Sequence, residues 1–550
     1  MTGFHPLEHI RRQISSAVVR AFPDMKADLL KFETPPDPAL GHIALSCFSL
    51  AKTLRKNPQE TASGIADLPY SDDIAEAKAV GPYVNFFINT EKTARTLFGY
   101  LSGNHDYGSG TEGQGKTIMV EFSSPNTNKP LHIGHARNNT LGMTFSNLME
   151  KLGYKVIRAN LVNDRGIHIC KSMLAYQKWG NAQTPEQADK KGDRFVGDWY
   201  VAYSKAEKAE AETGKKDLEN EVREMLIRWE NDDPDVRALW KKMNGWVHDG
   251  FKTTYDRTGV KFDRYYYESD LYVGGREEVL KALDQGICTK EDNGAVSIDL
   301  SDLKLGKKIL LRGDGTSIYM TQDVYTAISK HRDYPLDGSF YVVADEQDNH
   351  FRVLFAVLKK FGHEWANRFK AEAMRELRIR EERAASRPES ELLETAEIIS
   401  QSAVKYMMLR TTAAKGFMFD IKEALSFDGV TGPYLQYTHA RIASILDKAG
   451  DGGKYTDNGG HKWNEDEALI LLSLCRFPDV IISAAKERNP SVLAGYVYDL
   501  CRAFNRYYVA SPILKTDDIT RAARLNLCRA VKYVIRESLT LMTITPLERM

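Results

Sequence analysis

Short apolar runs alternate with amphipathic stretches through the middle of this chain, from residue 116 to about residue 370. The apolar runs predict strands at residues 118–122, 154–161, 309–312 and 340–344. Strands that alternate with amphipathic helices favour a parallel sheet covered by helices on both faces. Ligands of such sheets bind outside the carboxyl ends of the strands, so a site is expected at that edge.

The hydrophobic pattern changes on either side of this block, which predicts a multidomain α/β protein. Residues 1–105 predict a small α+β domain, with a glycine-rich linker over residues 102–115. Residues 116–395 predict a Rossmann-like domain, interrupted at residues 181–260 by a charged helical insertion. Residues 396–550 carry almost only helical periodicity and predict an all-α bundle.

Composition narrows the class of protein. An apolar content of 42% and a charged content of 27% are ordinary for a folded protein. Lys+Arg and Asp+Glu both number 75, so any contact with RNA must come from local patches. The six cysteines form no C-x-x-C pair, which indicates neither a disulfide framework nor a zinc site. With no signal peptide and no apolar run of bilayer length, we expect a cytoplasmic protein without a membrane partner.

The most informative stretch, residues 117–152, combines a strand, a polar turn and a helix. His132 and His135 lie one turn apart where the helix begins, next to Lys129 and Gly134. A helix N-terminus offers unpaired N–H groups and a positive dipole end, which together bind anions. A metal site or a packed histidine pair is the ordinary alternative, but no Cys or His ligand besides these two is near in sequence. The stretch therefore predicts a polyphosphate site.

Carboxylates also follow the predicted strands or open the next helix. These residues are Glu121, Asp164, Asp323, Asp345 and Glu346. A solvated surface carboxylate is the ordinary interpretation of each one taken alone.

Four separated motifs resemble those of one family. They are V-E-F-S-S-P-N-T-N-K-P-L-H-I-G-H (120–135), R-A-N-L-V-N-D-R-G (158–166), T-S-I-Y-M-T-Q-D (316–323) and G-P-Y-L-Q-Y-T-H-A-R (432–441). The H-I-G-H motif is typical of class I aminoacyl-tRNA synthetases, and the set resembles the arginyl-tRNA synthetases. The resemblance covers nearly the whole chain.

The resemblance implies site residues. ATP, bound with Mg²⁺ and without zinc, is expected at Asn128, Lys129, His132, Gly134 and His135. His132, His135 and Lys129 would be catalytic, because they stabilise the phosphates in the transition state. L-Arginine is expected at Glu121, Asn126, Tyr319, Asp323 and Gln347. A planar cation on a buried carboxylate is strongly discriminated from uncharged amino acids.

The resemblance also implies that the N-terminal domain touches the elbow of tRNA(Arg) and that the bundle reads its anticodon. The residues expected to contact tRNA are Asn85, Tyr437, Arg441, Arg502, Arg506 and Tyr507. Aromatic side chains can stack on unpaired bases while arginines meet phosphates. Aromatics at helical spacing are more often core residues, which is the alternative here.

One family signature is missing. Class I enzymes carry a mobile lysine loop of the K-M-S-K-S type, which we expect after a strand that follows residue 365. Residues 361–370 instead run into a charged stretch, residues 371–386, which predicts helix. Either the loop is naturally lost and Lys129 supplies its charge, or a segment is missing near residues 370–371. The second interpretation is favoured, because the strand that leads into the loop is missing too.

The sequence thus predicts a monomeric enzyme of protein biosynthesis. By the resemblance, ATP and L-arginine form arginyl-adenylate, and the arginyl group then passes to the 3'-terminal adenosine of tRNA(Arg), releasing AMP and pyrophosphate. Bound tRNA is expected to be needed even for the first step. Two alternatives stay open: a catalytically impaired paralogue that only binds RNA, and a nucleotidyltransferase that shares the H-x-G-H fold.

Overall fold

The N-terminal part of the molecule is a small α+β unit. The computed structural model describes residues 4–550 except 36, 104–105, 345–346, 375–377, 380–389, 413–414, 417, 451–453 and 457–458. The first elements are α1 (Pro6–Ala21), β1 (Lys31–Glu33), β2 (Ile43–Ser46), α2 (Phe48–Leu54), α3 (Pro58–Ala66), β3 (Ile74–Val80), β4 (Tyr83–Ile88) and α4 (Thr90–Ser102). The strands form one antiparallel sheet in the order β1-β2-β4-β3.

The middle of the chain folds around a parallel sheet. Its first half contains β5 (Thr117–Glu121), α5 (Ile133–Lys151), β6 (Lys155–Val162), α6 (Ile167–Trp179), α7 (Gly192–Glu212), α8 (Asp217–Glu230), α9 (Pro234–Thr258) and β7 (Arg264–Tyr267). Its second half contains α10 (Glu268–Asp284), β8 (Thr289–Lys290), β9 (Val296–Asp299), β10 (Lys307–Leu311), α11 (Tyr319–Asp333), β11 (Gly338–Ala344), α12 (Asp348–Lys360) and β12 (Phe369–Met374). Helices α7 to α9 occupy most of the predicted insertion.

The order of the five strands places a site at the centre of the sheet. The order is β12-β11-β5-β6-β7, and all neighbours pair in parallel. The chain leaves β5 towards β6 on one side, while β11 lies on the other side. That reversal of strand order is the topological switch point, where a crevice opens outside the carboxyl ends of the strands.

Two sequence predictions about strands are wrong. Residues 309–312 were expected in the parallel sheet, but β10 belongs to a separate antiparallel sheet with β9 and β8. A charged helix was expected to begin at residue 371, after a missing segment near residues 370–371. Residues 369–374 instead form one continuous strand, β12, which pairs with β11 along its whole length. The alternation of the sequence F-K-A-E-A-M has period two, which favours a strand despite its charges. The strand that should lead into the lysine loop is therefore present, and much of the stretch after Met374 lies outside the described residues.

The C-terminal part is helical and packs on both other parts. Its elements are β13 (Arg378–Ile379), α13 (Ser390–Leu409), β14 (Met418–Phe419), α14 (Ile421–Ala424), α15 (Gly432–Ala449), α16 (Glu465–Cys475), α17 (Phe477–Lys486), α18 (Ser491–Ala510) and α19 (Asp518–Leu541). The buried Tyr107 hydroxyl donates to the Leu474 carbonyl oxygen at 2.9 Å. Arg11 pairs with Asp479 at 2.8 Å. These contacts attach the N-terminal part to the bundle.

No single helix in the described ranges has the length and hydropathy to cross a bilayer. One bent pair, Glu465–Cys475 with Phe477–Lys486, passes that test by length and composition alone, with a 42° angle between its halves.

A glycine in α5 sets how closely this helix approaches the end of β5. A Cβ at Gly142 would lie 2.3 Å from the Cγ atom of Phe122, whose ring is fully buried. We expect Gly142→Ala to lower the free energy of unfolding by about 1–3 kcal/mol, since an extra methyl group overpacks the core. Gly245→Ala in α9 is the matched control, because its Cβ meets nothing within 4 Å. That change should stabilise by about 0.5–1 kcal/mol through helix propensity. Urea unfolding checks both, and equal effects of the two changes would contradict the packing.

Candidate active site

Two histidines close the first turn of α5. The His132 ring Nδ1 accepts the backbone N–H of Gly134 at 3.1 Å, and the His135 ring Nδ1 accepts the backbone N–H of His132 at 3.2 Å. Burial, the neighbouring His132 and Lys129 lower the pKa of His135 to about 3, and burial followed by Lys129 lowers the pKa of His132. Both rings are therefore neutral at pH 7. Because each Nδ1 is an acceptor, each Nε2 carries the proton and is a donor.

A cavity of about 1370 Å³ lies at the carboxyl ends of the parallel strands, next to this helix start. Eight of the predicted site residues line it: Glu121, Asn126, His132, Gly134, His135, Tyr319, Asp323 and Gln347. Asn128 and Lys129 are not among the lining residues. Asn128 is buried, and its side-chain oxygen has no hydrogen-bond partner among the residues that the structure describes, while Lys129 is exposed. The structure thus brings most of the predicted site together and leaves these two at its edge.

Glu121 is already paired inside the protein. Its carboxylate accepts a hydrogen bond from the ammonium group of Lys330, and both side chains are almost fully buried. The Lys330 Nζ lies 5.0 Å from the ring centre of Tyr341. Sequence reasoning missed this lysine. Its signal was a cation three residues after Ala327 on the buried face of α11, where the helical period calls for an apolar residue.

Asp323 also has an internal partner. The His350 Nε2 lies 2.6 Å from a carboxylate oxygen of Asp323. This hydrogen bond raises the pKa of His350 above its ordinary value, against the opposing effect of burial. The carboxylate that was predicted to hold a guanidinium therefore already has a cationic or hydrogen-bonded neighbour. His350 was not predicted, although it lies only three residues after Gln347.

Of the remaining predicted carboxylates, Asp164 does not line the cavity, and the other two are not among the described residues. Asp164 accepts the backbone N–H of Ser269 at 2.9 Å and its hydroxyl at 2.7 Å, which fixes the start of α10. Burial raises the pKa of Asp164 to about 6. Asp345 and Glu346 lie outside the described residues. Among the residues that are described, no group of three or more His, Cys, Asp or Glu could hold a metal ion.

Some of the residues predicted to contact tRNA are exposed and others are buried. Tyr437 is exposed, and Arg441 lies over its ring at 4.5 Å and donates to Asn505 at 2.8 Å. Arg502 and Arg506 are exposed, and each forms an ion pair within the bundle, with Asp499 and Asp466 respectively. We call Tyr437, Arg441, Arg502, Arg506 and Tyr508 the bundle surface.

Two of the residues predicted to contact tRNA, Tyr507 and Asn85, are buried. Tyr507 is fully buried, and its hydroxyl donates to Glu467 at 3.2 Å, so it belongs to the core of the bundle. Tyr508 is the exposed neighbour, because successive residues of α18 point in different directions. Asn85 is buried within the N-terminal sheet, where it pairs with Ala44 of β2, and its contact with tRNA stays a prediction.

A paired-histidine helix start at the switch point of a parallel sheet is the arrangement expected of a class I aminoacyl-tRNA synthetase, and comparison with known families places the chain in that class. The model of tRNA synthetases class I (R), catalytic domain, matches residues 99–375. The DALR anticodon binding domain matches residues 435–550, and the arginyl tRNA synthetase N terminal domain matches residues 8–88. The chain belongs to the arginyl-tRNA synthetase family.

Relatives extend over the whole molecule. An arginine–tRNA ligase of Treponema denticola is 41% identical over an alignment of 566 residues, covering 95% of each chain. One of Bacteroides thetaiotaomicron is 38% identical, covering 93% of this chain and 94% of its own. The structure of Thermus thermophilus arginyl-tRNA synthetase superposes with a TM-score of 0.83 at 25% identity, over 99% of this chain and 100% of that one. The first alignment is longer than this chain, so that relative carries residues which this chain lacks.

The Lys330–Glu121 pair can be tested by removing one partner or both. Lys330→Met leaves a carboxylate buried without its counter-ion, so we expect a loss of about 3–5 kcal/mol in the free energy of unfolding. Glu121→Gln combined with Lys330→Met removes both charges and should recover most of that loss. Urea unfolding of the two variants provides the measurement. A single variant as stable as the double variant would show that the pair is not coupled.

Proposed function

We propose that this chain activates L-arginine with ATP and transfers the arginyl group to the 3'-terminal adenosine of tRNA(Arg). One observation carries the proposal: a single cavity joins an anion-binding helix start to a wall of carboxylates. Arginine brings a cationic side chain and ATP brings a polyphosphate. A cavity with one end for each charge places the arginine carboxylate near the α-phosphate, where it is the nucleophile, so no protein side chain needs to act as one.

The phosphate end acts by position and polarity. The Nε2–H groups of His132 and His135 are two neutral donors at the positive end of the α5 dipole. They donate to phosphate oxygens where negative charge develops. Lys129 is near enough to lower the pKa of both rings and adds positive charge at the rim. Mg²⁺ bound with ATP would neutralise further charge on the phosphates.

The arginine end supplies acceptors for a planar cation. Asp323 and Gln347 face the cavity from α11 and from the start of α12, and Tyr319 is the exposed first residue of α11. We assign the guanidinium to Asp323, Tyr319 and Gln347. Glu121 and Asn126 lie at the end of β5 and just after it, beside the helix start, and we assign the α-amino and carboxylate groups to them. Carboxylate recognition of a guanidinium is strong because both partners are charged.

The position of the missing lysine loop, of the K-M-S-K-S type, matters because activity would depend on that loop. The relatives' alignments exceed the length of this chain, and the match to the catalytic model ends at residue 375, one residue after β12. We propose that any missing segment belongs after Met374 rather than at residues 370–371. Among the described lysines, Lys129 is the one whose charge lowers the pKa of both His132 and His135.

We also propose three functional domains: residues 1–105 for the tRNA elbow, 116–395 for catalysis and 396–550 for the anticodon. The bundle surface supports the last assignment, since its exposed aromatic rings and arginines suit unpaired bases and phosphates. A nucleotidyltransferase has no use for an acidic wall matched to a guanidinium or for a large helical bundle. The capped histidine pair, which lines the cavity, favours an enzyme over a paralogue that only binds RNA.

The proposal is tested by ATP–pyrophosphate exchange with each amino acid, with and without tRNA. We expect exchange with arginine alone, and only when tRNA is present. Asp323→Asn should raise the arginine KM about 10–100-fold with little change in the ATP KM, because it loses a charged hydrogen bond to the guanidinium. Intact mass spectrometry is the control, since a chain of this sequence weighs 62.2 kDa. Absence of exchange in a heavier protein that contains the lysine loop would overturn the proposal.

The bundle surface is tested by binding of tRNA(Arg). Tyr437→Ala should weaken binding by about 1–3 kcal/mol through the loss of one stacking platform. Arg502→Ala should weaken binding and also reduce its dependence on salt, because a phosphate contact releases counter-ions. Tyr507→Phe is the matched control, since it changes a buried tyrosine of the same bundle and should leave the affinity unchanged. Equal losses in Tyr437→Ala and Tyr507→Phe would contradict the assignment.

A further inference from the structure

The helical insertion packs directly against the chain that leads into the two histidines. A Cβ atom at Gly197 of α7 would lie 2.7 Å from the Cδ atom of Pro130 and 3.5 Å from the Cα atom of Lys129. Because only a residue without a side chain permits so close an approach, glycine lets α7 lie against residues 129–131. The insertion therefore supports the turn that carries the phosphate end of the site.

One buried carboxylate of the same helix also contacts this turn. Asp193, in the first turn of α7, is 0% exposed, and one of its oxygens accepts the backbone N–H of Leu131 at 3.4 Å. The other oxygen accepts the backbone N–H of Arg194 at 3.0 Å. The ammonium group of Lys191 donates to the first oxygen at 3.1 Å. The carboxylate is thus compensated, so it adds little net negative charge beside a phosphate site.

Helix α9 fixes the position of this carboxylate. A Cβ atom at Gly250 of α9 would lie 2.6 Å from the Oδ1 atom of Asp193. A Cβ atom at Gly192 would lie 1.8 Å from the backbone oxygen of Trp246, which is also in α9. The two helices therefore meet at glycines on both sides of Asp193, and the carboxylate is held on a rigid frame.

We propose that Asp193 is a positioning residue for adenylation, which holds the backbone before the histidine pair in the conformation that binds the phosphates of ATP. The inference rests on the proposed function and deepens it. Leu131, His132 and Gly134 each donate a backbone N–H to a side chain, and in the last two cases the acceptor is a histidine of the turn itself. Asp193 supplies the first acceptor from 62 residues along the chain, so the insertion completes the start of α5.

The effect of this hydrogen bond on the reaction follows from what the turn carries. His132 and His135 line the cavity, and Lys129 lowers the pKa of both rings. Without its acceptor, the Leu131 N–H must find another partner, and the turn moves with it. A displacement of about 1 Å in a group that positions a substrate can cost about 100-fold in rate. The residues assigned to the arginine side chain lie on α11 and at the start of α12, so the effect should fall on ATP.

ATP–pyrophosphate exchange by the full-length protein, with tRNA(Arg) present, tests the inference in two variants that disturb the turn by different means. Asp193→Ala removes the acceptor of the Leu131 N–H, while Gly197→Ala pushes against Pro130 and leaves the carboxylate in place. We expect each change to lower kcat about 10–100-fold and to raise the ATP KM, with little change in the arginine KM. Asp193→Asn keeps one acceptor oxygen and should recover part of the loss.

Asp198→Asn is the matched control, because Asp198 is in the same helix and pairs with Lys190 at 2.7 Å instead of with residues 129–131. It should leave kcat and both KM values unchanged. If Asp193→Ala only lowered stability in urea unfolding, and the folded protein kept the wild-type kcat and ATP KM, the inference would be overturned. Unchanged ATP kinetics in Gly197→Ala would count against it in the same way, and the proposed function would stand in either case. Absence of exchange in wild-type protein would overturn both proposals.

Discussion

The first N–H groups of α5 need hydrogen-bond partners, and much of the site follows from how they obtain them. A helix start leaves such groups unpaired, and here two imidazole rings accept from Gly134 and His132. Each ring is thereby held in one tautomer, with its donor nitrogen available to the cavity. The rest of the catalytic domain positions this turn: β5 leads into it, and Gly142 lets the helix approach the strand closely. Arg137, in the same helix, donates to the Lys415 carbonyl oxygen and so ties the segment after α13 to it.

The acidic side of the cavity, where the arginine side chain is proposed to bind, depends on a different constraint: a buried charge must be compensated. Lys330 compensates Glu121, and His350 accompanies Asp323. Glu268, the first residue of α10, also lines the cavity, and burial together with the nearby Asp323 and Asp164 raises its pKa to about 8, so it is protonated at pH 7. The empty cavity thus carries little uncompensated negative charge. A substrate guanidinium has to replace or share the internal partners of these carboxylates. Selectivity for arginine therefore depends on how well it fits those positions as much as on the number of carboxylates.

Sequence reasoning found the features that are local in the chain. The H-I-G-H motif and Asp323 were predicted because each lies in a short motif next to a recognisable strand or turn. Lys330 and Glu268 were missed because their significance depends on residues far along the chain, such as Glu121 and Asp164, that only the sheet brings together. Strand β12 was taken for helix because its charges obscured a period of two. Tyr507 and Tyr508 could not be told apart, since both fit an aromatic helix and only packing decides which one is buried.

The start of α5, where ATP is proposed to bind, offers little positive charge of its own, because both of its histidines are neutral. A helix dipole is equivalent to about half a charge, and the two imidazoles are neutral, so together they orient a triphosphate without neutralising it. Arg137 is committed to backbone oxygens after α13, and Lys129 lies at the rim. Further positive charge can come with the substrate, as a metal ion, or from Arg276 and Arg312, which line the same cavity. The histidine pair would then orient the phosphates, while the rate of adenylation would depend on the cations that neutralise them.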